Sequence, residues 1–116
     1  DLEWNDMVFA WQCVRHIKSN TIVLAKDGTL VGMGAGQPNR VVSVHLALRI
    51  AGDSSKGSAL ASDAFMPFAD NIDMAAAGGI TSVIQPGGSI RDSEVIEAAN
   101  KYGMSVVFTG MRHFNH

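Results

Sequence analysis

Residues 62–70 form the stretch of this sequence whose residue types most strongly indicate a binding site. Pro67 prevents regular hydrogen-bonded pairing, so the stretch connects two elements even though Phe65 and Phe68 make it apolar. Aromatic residues on a connection are either buried beneath it or available to a ligand. The polar Asp70 at its end favours a ligand, because loops with specific polar and aromatic residues often carry function. Burial of both phenylalanines as plugs of the core is the alternative.

Three other connections also carry groups suited to binding. Asn20 follows the first predicted helix, where its amide either ends the helix or donates to and accepts from one planar ligand group. Arg40 could contact an anionic or carbonyl oxygen in a bidentate manner. The Gly-x-Gly at 34–36 is a weak phosphate signal, because the lysine and hydroxyl of a nucleotide-triphosphate loop are absent. Residues 86–89 either make a tight turn or present backbone N–H groups to a carboxylate or phosphate, with Ser89 as the N-cap.

The C-terminal tail concentrates ionisable side chains. Arg112, His113 and His116 lie within five residues, although terminal histidines are also typical of a tag remnant. The chain has a single cysteine and no His-x-Glu with Pro-Cys-x-x-Cys, so a deaminase-type zinc site is excluded and we predict no zinc. A serine hydrolase is disfavoured because no Gly-x-Ser-x-Gly occurs.

Composition restricts the class of protein. The 116 residues are 47% hydrophobic, enough for the core of one domain spanning residues 1–116. With 17% charged residues and a net charge of −2, neither nucleic acid nor an anionic membrane is an expected partner. The single Cys13 fits a reducing cytoplasm and is expected to be a buried, inert thiol. Because the chain begins at Asp1, we expect a domain cut from a longer protein.

Hydrophobic patterns place these connections between helices and strands. They predict a helix over 3–18 and a hairpin of strands 21–26 and 29–33, with Asp27-Gly28 as its turn. The remaining elements are predicted as a helix over 39–50, a strand over 58–61, a helix over 70–77, a strand over 80–85, a helix after Ser89 closed by 100–103, and a strand over 104–109. Alternating helices and strands require right-handed crossovers. The predicted fold is therefore an α/β protein, a three-layer α/β/α sandwich with a mixed five-stranded sheet.

Two finer predictions concern individual helices. Asn5 or Asp6 is expected to cap the first helix. Val95, Ile96 and Ala99 are expected to face the core from the last helix.

The motifs, taken together, resemble a known family. They are Ser19-Asn20, the Gly-Ala-Gly-Gln of 34–37 with Arg40, the Ser-Asp-Ala-Phe-Met-Pro-Phe of 62–68 with Asp70, the Pro-Gly-Gly-Ser of 86–89, and the Thr-Gly-Met-Arg-His-Phe that begins at Thr109 and leads to His116. In this order they are similar to the C-terminal end of AICAR transformylase. That activity is the folate-dependent half of a bifunctional purine-biosynthesis protein that also carries IMP cyclohydrolase. The resemblance covers essentially the whole chain.

The resemblance implies a formyltransferase of the cytoplasm. The expected reaction moves a formyl group from 10-formyltetrahydrofolate, a substrate rather than a resident cofactor, to the 5-amino group of AICAR. The family's transformylase region has two cytidine deaminase-like subdomains, of which this chain resembles the second. The family also builds its sites across a homodimer interface.

The resemblance also assigns roles to single residues. Asn20 would bind the AICAR carboxamide and orient its amine, Phe65 would contact AICAR through its backbone, and Arg112 would bind the 5′-phosphate. His116 would lie near the reacting centre, so Asn20 and His116 are the expected catalytic residues. The residues expected toward the folate or along the cleft are Arg40, Phe68, Asp70 and Ser89.

Two departures limit what the chain can do alone. Met66 stands where the family more usually has a phenylalanine, a replacement that keeps an apolar wall. The family's Lys–His pair, whose histidine is the general base, belongs to the first subdomain, which this chain lacks. We therefore expect the fragment alone to be inactive, to expose an apolar patch and to self-associate. The alternative is a stand-alone folate- or nucleotide-binding module without catalysis.

Overall fold

The helices and strands follow the predicted order. A computed structural model describes residues 2–14, 21–34, 40–62, 69–86 and 92–109, so the predicted end of the first helix at Lys18 lies outside the described residues. The helices are α1 (Leu2–Val14), α2 (Arg40–Ala51), α3 (Ala69–Ala77) and α4 (Asp92–Lys101). The strands are β1 (Ile22–Lys26), β2 (Thr29–Gly34), β3 (Ala59–Ser62), β4 (Ser82–Gln85) and β5 (Ser105–Phe108). A short 3-10 helix, Gly52–Ser55, follows α2.

The strands of the described chain form one mixed sheet of five in the order β2-β1-β3-β4-β5. Strand β1 is antiparallel to both of its neighbours, whereas β3, β4 and β5 run parallel. Parallel neighbours need crossover connections, and α3 and α4 lie in the chain between the parallel strands. The prediction of a mixed five-stranded sheet with one antiparallel hairpin is confirmed.

Each face of the sheet carries its own hydrophobic core. On one face α2, α3 and α4 pack over strand residues such as Leu24 and Leu60, both fully buried. On the other face α1 packs through Met7, Ala10 and Val14. Because successive strand side chains point to opposite faces, neighbouring residues of β1 and β3 serve different cores. The predicted three-layer α/β/α sandwich is confirmed.

The hairpin between β1 and β2 is held to α1 by a buried carboxylate. Asp27 and Gly28 have φ values of 54° and 72°, the left-handed conformations that a two-residue primed turn requires. Their backbone N–H groups donate to the carboxylate of Asp6, Asp27 N to Oδ2 at 3.1 Å and Gly28 N to Oδ1 at 3.0 Å. The expectation that Asn5 or Asp6 caps the first helix is wrong, because α1 begins at Leu2 and Asp6 serves a turn far along the chain.

Strand β2 and helix α2 approach each other closely at a glycine. A Cβ atom built on Gly32 would clash with the carbonyl oxygen of Ala47 and lie 3.0 Å from the Cβ of Ala51. The close packing of β2 against α2 therefore requires glycine, which has no side chain, at position 32.

One inward-facing residue was misassigned. Val95 and Ala99 are buried as predicted, but Ile96 is 42% exposed. Helix α4 packs on the sheet through Val95 and Ala99, and the next residue along the helix is rotated by about 100° away from that face.

The predicted connection of residues 62–70 is shorter than expected. Ser62 is the last residue of β3 and Ala69 the first of α3, so 63–68 join the two elements and lie outside the described residues. Asp70 is accordingly the second residue of α3. Helix α3 ends at Ala77, and Gly79, with a φ of 89°, follows it in the left-handed conformation typical of a helix cap.

Candidate functional site

One edge of the sheet collects the strand ends that border the predicted site residues. In the antiparallel register, Ile22 at the start of β1 lies opposite both Gly34 at the end of β2 and Ser62 at the end of β3. Strands β4 and β5 run parallel to β3, so their carboxyl ends lie at this edge as well. We call it the site edge, and its described residues are Thr21, Gly34, Ser62, Pro86 and Thr109.

Each predicted site residue either lies close in sequence to a strand end at this edge or lies in a helix that follows such a strand end. Asn20 precedes Thr21 directly, Phe65 and Phe68 follow β3, Ser89 follows β4, and Arg112 and His116 follow β5; all six lie outside the described residues. Arg40 and Asp70 lie in the first turns of α2 and α3, and their side chains are likewise outside the description. The roles that the resemblance assigns to Asn20, Phe65, Arg112 and His116 require these residues to converge in space, and this convergence stays a prediction.

Three helices begin after strands that end at the site edge. α2 follows β2, α3 follows β3, and α4 follows β4. The backbone N–H groups of a helix N-terminus carry partial positive charge, so these helix starts favour an anionic ligand over a cationic one. The carboxyl ends of strands in open α/β sheets are also where ligands generally bind.

The site edge has a floor of buried polar side chains, two of which, Thr21 and Gln85, the sequence analysis did not single out. Thr21, Ser62 and Gln85 are each 0% exposed, and each takes part in an interaction with another group. The backbone N–H of Thr109 donates to the carbonyl oxygen of Gln85 at 2.9 Å, which ties the end of β5 to the end of β4. The available signal was a polar residue that directly ends an apolar strand run, as Ser62 and Gln85 do.

A second concave surface lies along α3 and α4. It is a groove of about 460 Å³ on α3 and α4, lined by Asp73, Glu94, Glu97 and Lys101 among others. The hydroxyl of Tyr102 donates to Asp73 Oδ1 at 2.8 Å, and this hydrogen bond is the main cause that raises the pKa of Tyr102. Three carboxylates around the groove would repel an anion, so it suits a phosphate-bearing ligand less well than the helix starts.

Neither a reactive thiol nor a metal centre is evident in the described part of the chain. Cys13 is half-buried, and burial raises the pKa of its thiol, which disfavours the nucleophilic thiolate at neutral pH. This agrees with the expectation of an inert thiol. Among the described residues, no group of three or more His, Cys, Asp or Glu side chains could hold a metal ion.

Several large apolar side chains are exposed on the described surface. Ile50 is 66% exposed and lines a groove of about 200 Å³ with Leu30 and Met33 of β2. Ile96 and Phe108 line a second groove of about 270 Å³ between α4 and β5. Within the ranges described, none of the helices has the length and apolar character needed to cross a bilayer.

The fold is that of the nucleotide deaminases. The dCMP deaminase from cyanophage S-TIM5, in its apo form, superposes with a TM-score of 0.64 at 18% sequence identity, over 92% of this chain and 96% of that chain. At this identity the likeness shows the fold alone. It confirms the cytidine deaminase-like α/β/α architecture that the resemblance implied.

Sequence comparison then identifies the family. The family model described as the AICARFT/IMPCHase bienzyme matches residues 1–50. A bifunctional purine biosynthesis protein of Dictyostelium discoideum is 60% identical over 114 residues, which cover 98% of this chain and 21% of the relative. The corresponding protein of Anoxybacillus flavithermus is 56% identical, with 98% and 22% covered. The chain therefore corresponds in sequence to one part of these bifunctional purine biosynthesis proteins, and it spans about a fifth of the length of the relatives it matches.

Proposed function

We propose that this chain forms the C-terminal part of an AICAR transformylase, in which it supplies substrate-binding groups for formyl transfer from 10-formyltetrahydrofolate to AICAR. The observation that carries the proposal is the site edge. All five sequence stretches that resemble the family's motifs border strand ends at this single edge of a sheet. A set of motifs unrelated to one site would be distributed over both edges.

The proposed chemistry makes positioning the chief task of these residues. The AICAR amine attacks the formyl carbon, a new C–N bond forms, the bond from that carbon to N10 of the folate breaks, and the proton lost by the amine is balanced by one gained at N10. Asn20 holds the AICAR carboxamide so that the weakly nucleophilic amine faces the formyl carbon. Arg112 binds the 5′-phosphate through charge-assisted hydrogen bonds, and His116 lies near the reacting centre.

The remaining residues complete the cleft in this proposal. Phe65 contacts AICAR through its backbone, while Phe68 supplies an apolar wall. Asp70 and Ser89 have the acceptors and donors that a pterin ring requires, and Arg40 suits an anionic or carbonyl oxygen of the folate. The helix starts at the site edge add a favourable field for the phosphate and carboxylate groups of both substrates.

The proposal includes partners outside this chain. Its one domain, residues 1–116, acts as the second of two deaminase-like subdomains, and the first supplies the Lys–His pair with the general base. A homodimer completes the sites, and the protein works in the cytoplasm, whose reducing conditions suit the single Cys13. The chain by itself is then inactive. The first subdomain and the partner subunit would cover exposed apolar side chains such as those of Ile50 and Ile96.

A complementation assay tests this function. The chain is assayed for transformylase activity at saturating folate, alone and with a first subdomain taken from a relative. We expect no activity alone and measurable activity with the added subdomain. If the mixture stays inactive although the chain binds AICAR or folate in calorimetry, the protein is a binding module without catalysis. If it binds neither ligand, the transformylase assignment is wrong.

A further inference from the structure

Two of the buried polar residues at the site edge lie side by side. The β3–β4 register pairs Ala61 with Ile84, so Ser62 and Gln85 are the next residues of the two parallel strands. Ser62 lies two positions after Leu60 in β3, and Gln85 lies two positions after Val83 in β4. Leu60 and Val83 both belong to the core beneath α2, α3 and α4. Since side chains alternate along a strand, Ser62 and Gln85 point to that same face. The starts of α3 and α4 follow them in the chain.

Ser62 and Gln85 are fully buried although both are polar and both lie at the ends of strands. Gln85 is among the largest fully buried side chains of the described chain, and both residues are 0% exposed. A buried amide or hydroxyl is costly unless it is hydrogen-bonded. Ser62 and Gln85 each interact with another group, although the Nε2 atom of Gln85 has no hydrogen-bond partner among the described residues. A hydrogen bond restricts direction in a way that apolar packing does not. An apolar side chain of similar size would fill this space without that cost. The two polar groups therefore restrict where the ends of β3 and β4 can lie.

We propose that Ser62 and Gln85 form a positioning pair that fixes the ends of β3 and β4, from which the site stretches with Phe65 and Ser89 follow. Because both side chains are fully buried, the pair acts through these strand ends and does not touch substrate. Gln85 also accepts the backbone hydrogen bond of Thr109, at the start of the stretch with Arg112. The inference rests on the proposed transformylase function where it concerns catalysis.

Kinetics of the full-length protein give the first test. The variants are Ser62→Ala, which preserves packing, and Gln85→Met, which keeps length while removing the amide. We expect kcat to fall by about ten- to a hundredfold at a temperature where each variant is folded, because small misplacements of site groups slow the chemical step. The matched control is Ser82→Ala, since Ser82 is an equally buried serine at the opposite end of β4. It should lower kcat by less than about twofold.

Hydrogen exchange gives a second test that does not depend on activity. We expect the Thr109 amide to exchange at least about fivefold faster in Gln85→Met, because the end of β4 that accepts its hydrogen bond is released. In Ser82→Ala its exchange should be unchanged. If Ser62→Ala keeps wild-type kcat and Gln85→Met leaves Thr109 exchange unchanged, the positioning role is refuted.

The two proposals fail in different ways. A full-length wild-type protein without transformylase activity refutes the proposed function, whereas the exchange experiment still decides the role of Gln85. Should Gln85→Met not fold, Ser62→Ala decides through its kcat and through exchange at the end of β3. A lowered melting temperature with unchanged kcat would show that Ser62 serves stability alone, which overturns the inference.

Discussion

Replacing Asp6 by alanine should loosen the hairpin between β1 and β2 and destabilise the chain. The Asp6 side chain is 6% exposed and accepts two backbone hydrogen bonds, from Asp27 at 3.1 Å and Gly28 at 3.0 Å. These two bonds join the first helix to a turn more than 20 residues away in sequence.

The size of the effect follows from the number of bonds and from their exposure. A hydrogen bond to a charged group contributes roughly 1.5–3 kcal/mol. Both donors lie on an exposed turn, so water can replace the lost acceptor and the penalty falls at the lower end. We expect Asp6→Ala to cost about 2–3 kcal/mol of unfolding free energy, and Asp6→Asn about 1–2 kcal/mol because an amide oxygen can still accept one bond.

Urea unfolding followed by circular dichroism measures this loss. Asp53→Ala is the matched control, since Asp53 is an exposed acid, and it should change the free energy by less than about 0.5 kcal/mol. In parallel, the amide protons of Asp27 and Gly28 should exchange faster in Asp6→Ala. The reasoning fails if Asp6→Ala costs no more than the control, or if exchange at the turn is unchanged.

Four other outcomes are expected. Gly32→Ala should cost about 1–3 kcal/mol in urea unfolding, because its Cβ would force β2 and α2 apart. In the full-length protein, the proposed function predicts that Arg112→Ala raises the AICAR KM about ten- to a hundredfold with a smaller change in kcat, whereas Asn20→Ala mainly lowers kcat. Cys13 should be alkylated more slowly than free cysteine at about pH 8, because burial raises the pKa of its thiol. The isolated chain should self-associate in light scattering, and Ile50→Lys should weaken that association.

Each of these has an outcome that contradicts it. A Gly32→Ala variant as stable as wild type would mean that β2 and α2 can separate freely. An unchanged AICAR KM in Arg112→Ala would contradict the proposed role of Arg112 in binding the 5′-phosphate. For Cys13, the folded chain holds the thiol proton more tightly than the unfolded chain. Its contribution to stability is therefore complete below the unfolded thiol pKa and is lost as pH rises through the raised folded pKa. Alkylation as fast as that of free cysteine, or a concentrated chain that stays monomeric, would contradict the last two.

The features that the sequence determined by itself are local ones. The Asp27-Gly28 turn was predicted because left-handed φ values are a property of two adjacent residues. The element order was predicted because apolar periodicity acts within one or two turns of chain. The candidate site residues came from motif resemblance, and their sequence neighbours at the site edge agree with a common location.

Tertiary structure alone decided which surfaces those elements share. Asp6 was expected to cap its own helix, but its partners are residues brought near by the packing of α1 on the sheet. Ile96 fits the helical pattern of an inward residue, yet α4 is rotated so that Val95 and Ala99 face the core. Gln85 was a strand end in the sequence and became a buried floor residue only when β3 and β5 flanked β4. These contacts join residues far apart in the chain, and no local pattern encodes which of several faces or edges a partner element will occupy.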